Sequence, residues 1–284
     1  MSTVDQLHAS LVSKAEAEVR VAPTSLFWSA LGAGLAIAFS FLAAAAAAAA
    51  APPDWSALAG SMAYPLGFLI VVGGRYQLFT ENTLPPVARV LERLDSVPSL
   101  LKLWGIVLFG NVVGAAAIGM VIAIPGVLPE HVSEAAAGLL TLTHHTGMLA
   151  VFGRAVLAGW LVAAMVWLLH RMSAKATLPV VWACTFVMPL LSLEHVVVGS
   201  VEATWAVGAG LVAPASALRH LGVTLVGNTV GGVLLVALLN HARTGTPDPD
   251  LPRLSLRHWL LGGAPPDGVC EPHVGAMDRR PWSA

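Results

Sequence analysis

The sequence predicts an all-α membrane protein of six spans, built as an inverted repeat of three plus three helices whose second and fifth helices are broken. Three observations lead there. The 284 residues are 56% hydrophobic and only 11% charged, where a soluble domain carries about 25% charged residues. The apolar residues lie in six long runs. One motif occurs twice, at corresponding places in the third and sixth runs.

The elements follow in order. Residues 3–20, TVDQLHASLVSKAEAEVR, place Val4, Leu7, Leu11, Ala15 and Val19 at helical spacing, which predicts an amphipathic helix. Thr3 with Gln6 can form a capping box, and Pro23 ends the segment. The helix is too polar to span, so residues 1–23 read as a surface or subunit-packing element. The first twenty residues are polar and the first apolar run is long enough to span, so no cleavable signal peptide is expected.

The apolar runs cover roughly 25–50, 58–78, 102–124, 147–169, 177–198 and 217–240, each close to the ~20 residues a spanning helix needs. The first ends in Ala43–Ala51, which forms good helix and grips lipid weakly. The fifth is followed by GSVEATWAVGAGLVAPAS, too irregular for a clean helix and too apolar for a solvated loop. Such backbone is tolerated at membrane depth only where protein buries it or a cavity hydrates it. The spanning domain is thus 24–242, with repeats about 24–124 and 146–242. Beyond it, residues 243–284 are proline-rich and polar and read as a mostly irregular tail. Within the tail, LSLRHWLLGG is able to form a short helix.

Lys14, Arg20, Arg89, Arg93, Lys102, Arg171, Lys175 and Arg243 collect on one side of this arrangement. Arg154 and Arg219 fall on the other, with Asp54, Glu130, Glu134 and Glu202. This asymmetry predicts both termini in the cytoplasm. A formal net charge of −1 offers no basic face for nucleic acid. Cys184 and Cys270, in an apolar segment and in the tail, make neither a disulfide framework nor a metal motif.

The repeated motif is LFGNVVGA at Leu108–Ala115 and LVGNTVGG at Leu225–Gly232, with Asn111 and Asn228 117 residues apart. Gly110 with Gly114, and Gly227 with Gly231, are small residues at four-residue spacing, which lets membrane helices approach closely. A buried Asn can hydrogen-bond across such a contact. Ordinary small-residue packing explains either motif alone; two copies in place point to a duplicated three-helix unit. The same offset carries Leu78 onto His195, so RYQLFTENT corresponds to LSLEHVVVGS. Both sit where an apolar segment breaks its pattern. Three crossings are an odd number, so the second copy is inverted. Paired broken helices in inverted repeats mark a substrate path near the midplane. Taken alone, Glu194 and His195 read equally well as a satisfied core pair or as a functional site. The repeat favours His195 at the pore centre, and Glu194 as scaffold that caps backbone amides.

At GGRYQLFTENT, FGNVVGA, VGNTVGG and SLEHVVVGS the sequence resembles the formate/nitrite transporter family, and AGWLVAAMVW is similar to the family's fourth helix. The likeness covers about residues 25–242, with LFTENT looking like a divergent branch. It implies an aquaporin-like protomer, a pentameric homo-oligomer in the bilayer of the inner membrane, and passage of small monovalent weak-acid anions together with protons. It implies neither a cofactor, nor a metal, nor an enzyme. Position by position it implies His195 as the central pore histidine, with Glu194 as its neighbour. Leu78, Phe79 and Thr80 then form the loop that breaks the second helix. Tyr64, Phe68, Val162 and Met188 fall at the apolar constrictions. Asn111 and Asn228, beside Gly110 and Gly227, are the paired helix-break or packing residues.

Three positions depart from the family pattern. The loop's usual acidic residue is Gln77. The fourth-helix Asn that faces the pore histidine aligns with Gly159. A lysine before the fourth helix is replaced by TLTHHTGM, leaving Arg75, Arg154 or His144 and His145 as sources of positive charge. For Arg75 the favoured role is pairing at the helix break or at a subunit interface, with Glu81 as a partner. His144 and His145 read as solvated mouth residues, and the other histidines as solvated residues of loops and tails.

The implied chemistry is simple. An anion at the centre of a hydrocarbon slab is costly and a neutral weak acid much less so. Apolar constrictions therefore reject hydrated ions, and a histidine between them can give an entering carboxylate a hydrogen bond or a proton. The alternative is a channel for water or small neutral solutes, against which stands the lack of paired Asn-Pro-Ala motifs. A serine hydrolase using Ser192 or Ser200 with His195 has no Gly-x-Ser-x-Gly elbow to support it.

Overall fold

The structure, a computed structural model, describes residues 21–140, 147–170, 172–241 and 253–262. The N-terminal amphipathic segment, His144, His145 and most of the tail lie outside the described residues. Every regular element among the described residues is helical.

Helix α1, Pro23–Ala50, opens on a proline, whose missing N–H costs nothing at a helix start. A 3-10 turn, Pro53–Trp55, leads into α2, Ser56–Ala63, and α3, Pro65–Gly73. Together these make one run, Pro53–Gly73, long and apolar enough to cross a bilayer. The chain then leaves helical geometry, makes a 3-10 turn at Glu81–Thr83, and resumes as α4, Pro85–Leu91. Helix α5, Val97–Ile122, is capped by Ser96, whose hydroxyl accepts from the Ser99 N–H. Helix α6, Glu130–Leu139, packs on α1. Helix α7, Met148–Leu169, crosses next. Helices α8, Ala174–Leu190, and α9, Val196–Gly208, flank the second break. Helix α10, Pro214–His241, completes the bundle. Helices α1, α5, α7 and α10 are, like the Pro53–Gly73 run, of spanning length and apolarity. Helices α8 and α9 share the remaining crossing.

The second helix is broken as expected, and so is the fifth. One expectation fails. The glycine-rich stretch after the fifth run is not irregular: residues 196–208 form α9, and only 209–213 separate it from α10. Gly199 did not break the helix because Val196, Val197, Val198 and Val201 are all buried, and that packing outweighs their modest propensity. Glu202, expected in a loop, therefore sits on a helix.

The repeat is visible in packing. Helix α1 lies on α5 and α7 on α10, each pair brought together by glycines. A Cβ on Gly34 would lie 2.2 Å from the Asn111 carbonyl oxygen, and one on Gly159 would lie 2.1 Å from that of Asn228. Gly110 and Gly227 leave room for Ala30 and Ala155, and Gly114 and Gly231 for the carbonyls of Leu31 and Val156. Gly159 is thus a helix-contact glycine paired with Gly34, which corrects its alignment with a side chain that faces the histidine.

The connections at 51–55, 123–129 and 209–213 lie on one face, called upper, and those at 92–96 and between α7 and α8 on the lower face. A short helix in the tail, α11, Leu256–Leu261, docks on the lower face. The Leu254 N–H donates to the Arg93 carbonyl at 2.8 Å, and Trp259 Nε1 donates to the Val90 carbonyl at 2.7 Å. Arg89, in α4, pairs with Asp95 beside this contact.

Candidate functional site

Each break strands backbone amides and carbonyls inside the bundle, where every polar group needs a partner. One asparagine serves each break. Asn111 Oδ1 accepts from the Phe79 N–H at 2.8 Å, while its Nδ2 donates to the carbonyls of Ala30 and Gln77. Asn228 Oδ1 accepts from the Val196 N–H at 2.9 Å, while its Nδ2 donates to the carbonyls of Ala155 and Glu194. Phe79 and Val196, like Gln77 and Glu194, are related by the same 117 residues as the asparagines. Backbone strain repeats too: Arg75 at φ 54° and Ser192 at φ 50° stand in the left-handed region at equivalent positions.

The two breaks meet. Thr80 Oγ1 and His195 Nε2 are 2.8 Å apart, and both residues are buried. His195 is also the N-cap of α9, its Nδ1 accepting from the Val198 N–H at 3.3 Å. That acceptor role leaves the neutral ring's proton on Nε2, so His195 donates to the Thr80 hydroxyl. The Thr80 hydroxyl hydrogen is then available to a further acceptor. The starts of α9 and of the Glu81–Leu91 segment lie beside this contact, and helix N-termini favour negative charge.

Apolar side chains enclose the pair. Phe68 meets the His195 ring edge-on with centroids 5.1 Å apart, and Tyr64 lies 5.8 Å from Phe68. Tyr64, Phe68, Leu78, Phe79, Val162 and Met188 are all buried in one cluster. On the upper side of this cluster is a cavity of about 210 Å³, reached by Tyr64, Ser192, Glu194, His195 and Glu202. On the lower side is one of about 720 Å³, reached by Val72, Arg75, Gln77, Glu81 and His170. The sequence-predicted residues are therefore brought together between two cavities. Arg75 belongs to the lower one, and Arg154 lines neither.

Gln77 replaces an acidic residue without opening the loop. Its Oε1 accepts from Asn82 Nδ2 at 2.8 Å and its N–H donates to Ser29 Oγ at 3.1 Å. An acceptor oxygen is all that this position uses, and an amide supplies it. Glu194 places Oε2 3.1 Å from Nε2 of His220, and both side chains are buried. His220 was expected to be solvated. It stands one turn before buried Thr224, which stands one turn before Asn228, so α10 turns one polar stripe inward. That i, i+4, i+8 spacing was the available signal. Neither Ser192 nor Ser200 pairs with His195: Ser200 Oγ donates to the Val196 carbonyl, and both ring nitrogens are engaged elsewhere.

Comparison with known proteins agrees with this geometry. A family model for formate/nitrite transporters matches residues 5–242. The chain is 31% identical over 241 residues to the inner membrane protein YfdC of Escherichia coli strain K12, spanning 84% of this chain and 77% of that one. It is 33% identical over 155 residues to the formate channel FocA of Haemophilus influenzae, spanning 51% of this chain and 53% of that one. Two solved structures share the aquaporin-like fold. One, an FNT family ion channel, has a TM-score of 0.76 at 18% identity over 85% of this chain and 100% of its own. The other, a pentameric formate channel with formate bound, has a TM-score of 0.66 at 20% identity over 77% and 96%. With four motifs in order, two equivalent helix breaks and a family model spanning the whole bundle, the chain belongs to the formate/nitrite transporter family.

Proposed function

We propose that the protein is a channel or transporter that passes small monovalent weak acids of the formate and nitrite kind, with the anion neutralised at His195 between two apolar constrictions. The observation that carries this reading is the Thr80–His195 contact, held where two broken helices meet between two cavities. An incoming carboxylate oxygen competes for the Nε2–H and the Thr80 hydroxyl hydrogen. Its proton comes from water, directly or through the ring. Transfer from an imidazolium Nε2–H to the carboxylate oxygen leaves a neutral imidazole and a neutral acid, and the acid then crosses the apolar side chains.

Leu78, Phe79 and Thr80 form the loop of the first break in this reading. Tyr64, Phe68, Val162 and Met188 form the constrictions, Glu194 acts through His220 as scaffold, and Asn111 and Asn228, with Gly110 and Gly227, hold the breaks. Residues 24–242 are the transport domain, residues 1–23 an amphipathic element and residues 243–284 a tail. Arg89, Arg93, Lys102 and Lys175 on the lower face support a cytoplasmic lower face and cytoplasmic termini. A solved relative is pentameric and another relative is an inner membrane protein, which supports a homopentamer in that membrane. Exposed Trp28, Phe109 and Met120 give such an assembly and its lipid apolar surface.

The test is flux into proteoliposomes with His195→Phe and His195→Asn. Weak-acid uptake should fall at least about tenfold, the loss expected when a buried hydrogen-bonded group worth about 1.4 kcal/mol or more is removed from the path. Unchanged uptake with unchanged pH dependence in both variants sinks the proposal.

A further inference from the structure

The two cavities are related by the repeat, yet they differ in charge. Moving each residue by 117 carries Arg75, Gln77 and Pro85 of the lower cavity onto Ser192, Glu194 and Glu202 of the upper one. The lower cavity thus has an arginine where the upper has a serine. Where the upper has the carboxylates of Glu194 and Glu202 the lower has Gln77 and Pro85, and the lower cavity's own carboxylate, Glu81, is accompanied by Arg75. On α9, His195, Val198, Gly199 and Glu202 share the face that lines the upper cavity. Glu202 therefore stands two turns, about 10 Å, outward from His195.

Resting on the function proposed above, we infer that Glu202 and the Glu194–His220 pair make the upper vestibule an anion-excluding chamber, so that across this face the substrate moves as a neutral weak acid. The charges facing the chamber leave an anion little welcome. Tyr64 comes from the α2–α3 junction, and Glu194, His195 and Glu202 from the second break and α9. His220, from α10, is committed to Glu194. Helix α1 carries no titratable side chain, and α5 carries only Lys102, at its opposite end. Helix α6 offers the chamber only Gly138 and Leu139, with Glu130, His131 and Glu134 exposed. Arg154 and Arg219 do not line it, and residues 141–146, TLTHHT, hold no Lys or Arg, their titratable residues being His144 and His145.

Where the carboxylates are ionised they repel an anion. Where one is protonated it offers no net attraction. An anion that does enter raises the proton affinity of its acidic neighbours, so one proton accompanies it. Either route moves the acid across the upper face without net charge. The arginine-bearing lower cavity is the side on which the dissociated anion is held.

The experiment uses the full chain in oriented proteoliposomes, with formate as substrate and nitrate, the anion of a strong acid, as external competitor at the upper face. For the wild type, uptake should fall about tenfold for each pH unit between about pH 5 and about pH 7, following the concentration of the neutral acid, and nitrate should not inhibit. Glu202→Lys should flatten that slope and make nitrate an inhibitor. Glu202→Gln, which adds no charge to be buried, should move both in the same direction by less. Glu202→Asp, keeping the carboxylate, should retain the steep slope. Wild-type uptake that ignores pH, or a slope and nitrate response identical in all four proteins, overturns the inference. Wild-type vesicles that take up no small acid at any pH overturn the proposed function itself.

Discussion

The two helix breaks use one backbone solution and two different side-chain linings. Asparagine, contact glycine and left-handed residue recur at equivalent places: Asn111 with Asn228, Gly34 with Gly159, Arg75 with Ser192. The surrounding residues diverge. Gln77 is matched by Glu194, and Leu103 and Val107 on α5 by His220 and Thr224 on α10. The difference separates two pressures. Interrupting a helix inside a membrane creates orphaned polar groups, and few side chains can satisfy an amide and two carbonyls at once, so both halves keep the same residue. Nothing in the backbone dictates what lines the space beside the break, so the halves differ there.

The strongest way to break this comparison is to remove the shared part. Asn111→Leu and Asn228→Leu each leave one buried N–H and two carbonyls short of a partner, at about 1–3 kcal/mol per orphaned group. Both variants should therefore lose most of their thermal stability in detergent, and to a similar extent. A variant that melts within a few degrees of the wild type in one half only would show that the breaks are not held alike.

Much of the scaffold was legible because the membrane imposes it. Span length, the Gly-Asn motifs and the 117-residue offset are direct imprints of bilayer thickness, close helix contact and duplication. His195 and Thr80 could be placed together because their segments are each other's repeat partners. Two features escaped. Gly159 matches Gly34 at an offset of 125, not 117, because the chain from the contact glycine to the break is longer in the first half than in the second, so a motif search at one offset passes over it. His220 sits six residues into α10 and looked like the edge of a loop; only its spacing to Thr224 and Asn228 reveals an inward face. The partner of a buried charge is a tertiary fact, and Glu194 is 26 residues from His220.

The divergent part yields a smaller and sharper effect. His220→Leu leaves Glu194 buried without its imidazole, a change that costs about 3–5 kcal/mol when one partner of a buried pair is removed. Glu194→Gln alone weakens the same contact while keeping an acceptor, and should cost less. The double variant gives the second half the Gln and Leu of the first half. Because the two residues touch, their effects should not add, and the double variant should recover about 1–3 kcal/mol relative to the sum of the singles. A purely additive result in thermal melts would mean that the pair is not energetically coupled.

The smallest effect tests the shared strain. A non-glycine residue in the left-handed region costs about 1–2 kcal/mol, while glycine gives back about 0.5–1 kcal/mol through the freedom it has when unfolded. Replacing Arg75 or Ser192 by Gly should therefore stabilise by up to about 1 kcal/mol relative to Ala at the same site. The Ala variant removes the side chain but keeps the strain, so the Gly–Ala difference isolates the backbone. That difference should be the same at both positions, since φ differs by only a few degrees between them. Unequal differences would mean that the two turns do not carry the same backbone strain, whereas contacts of the Arg75 side chain in the larger cavity would show instead as a stability loss shared by its Gly and Ala variants.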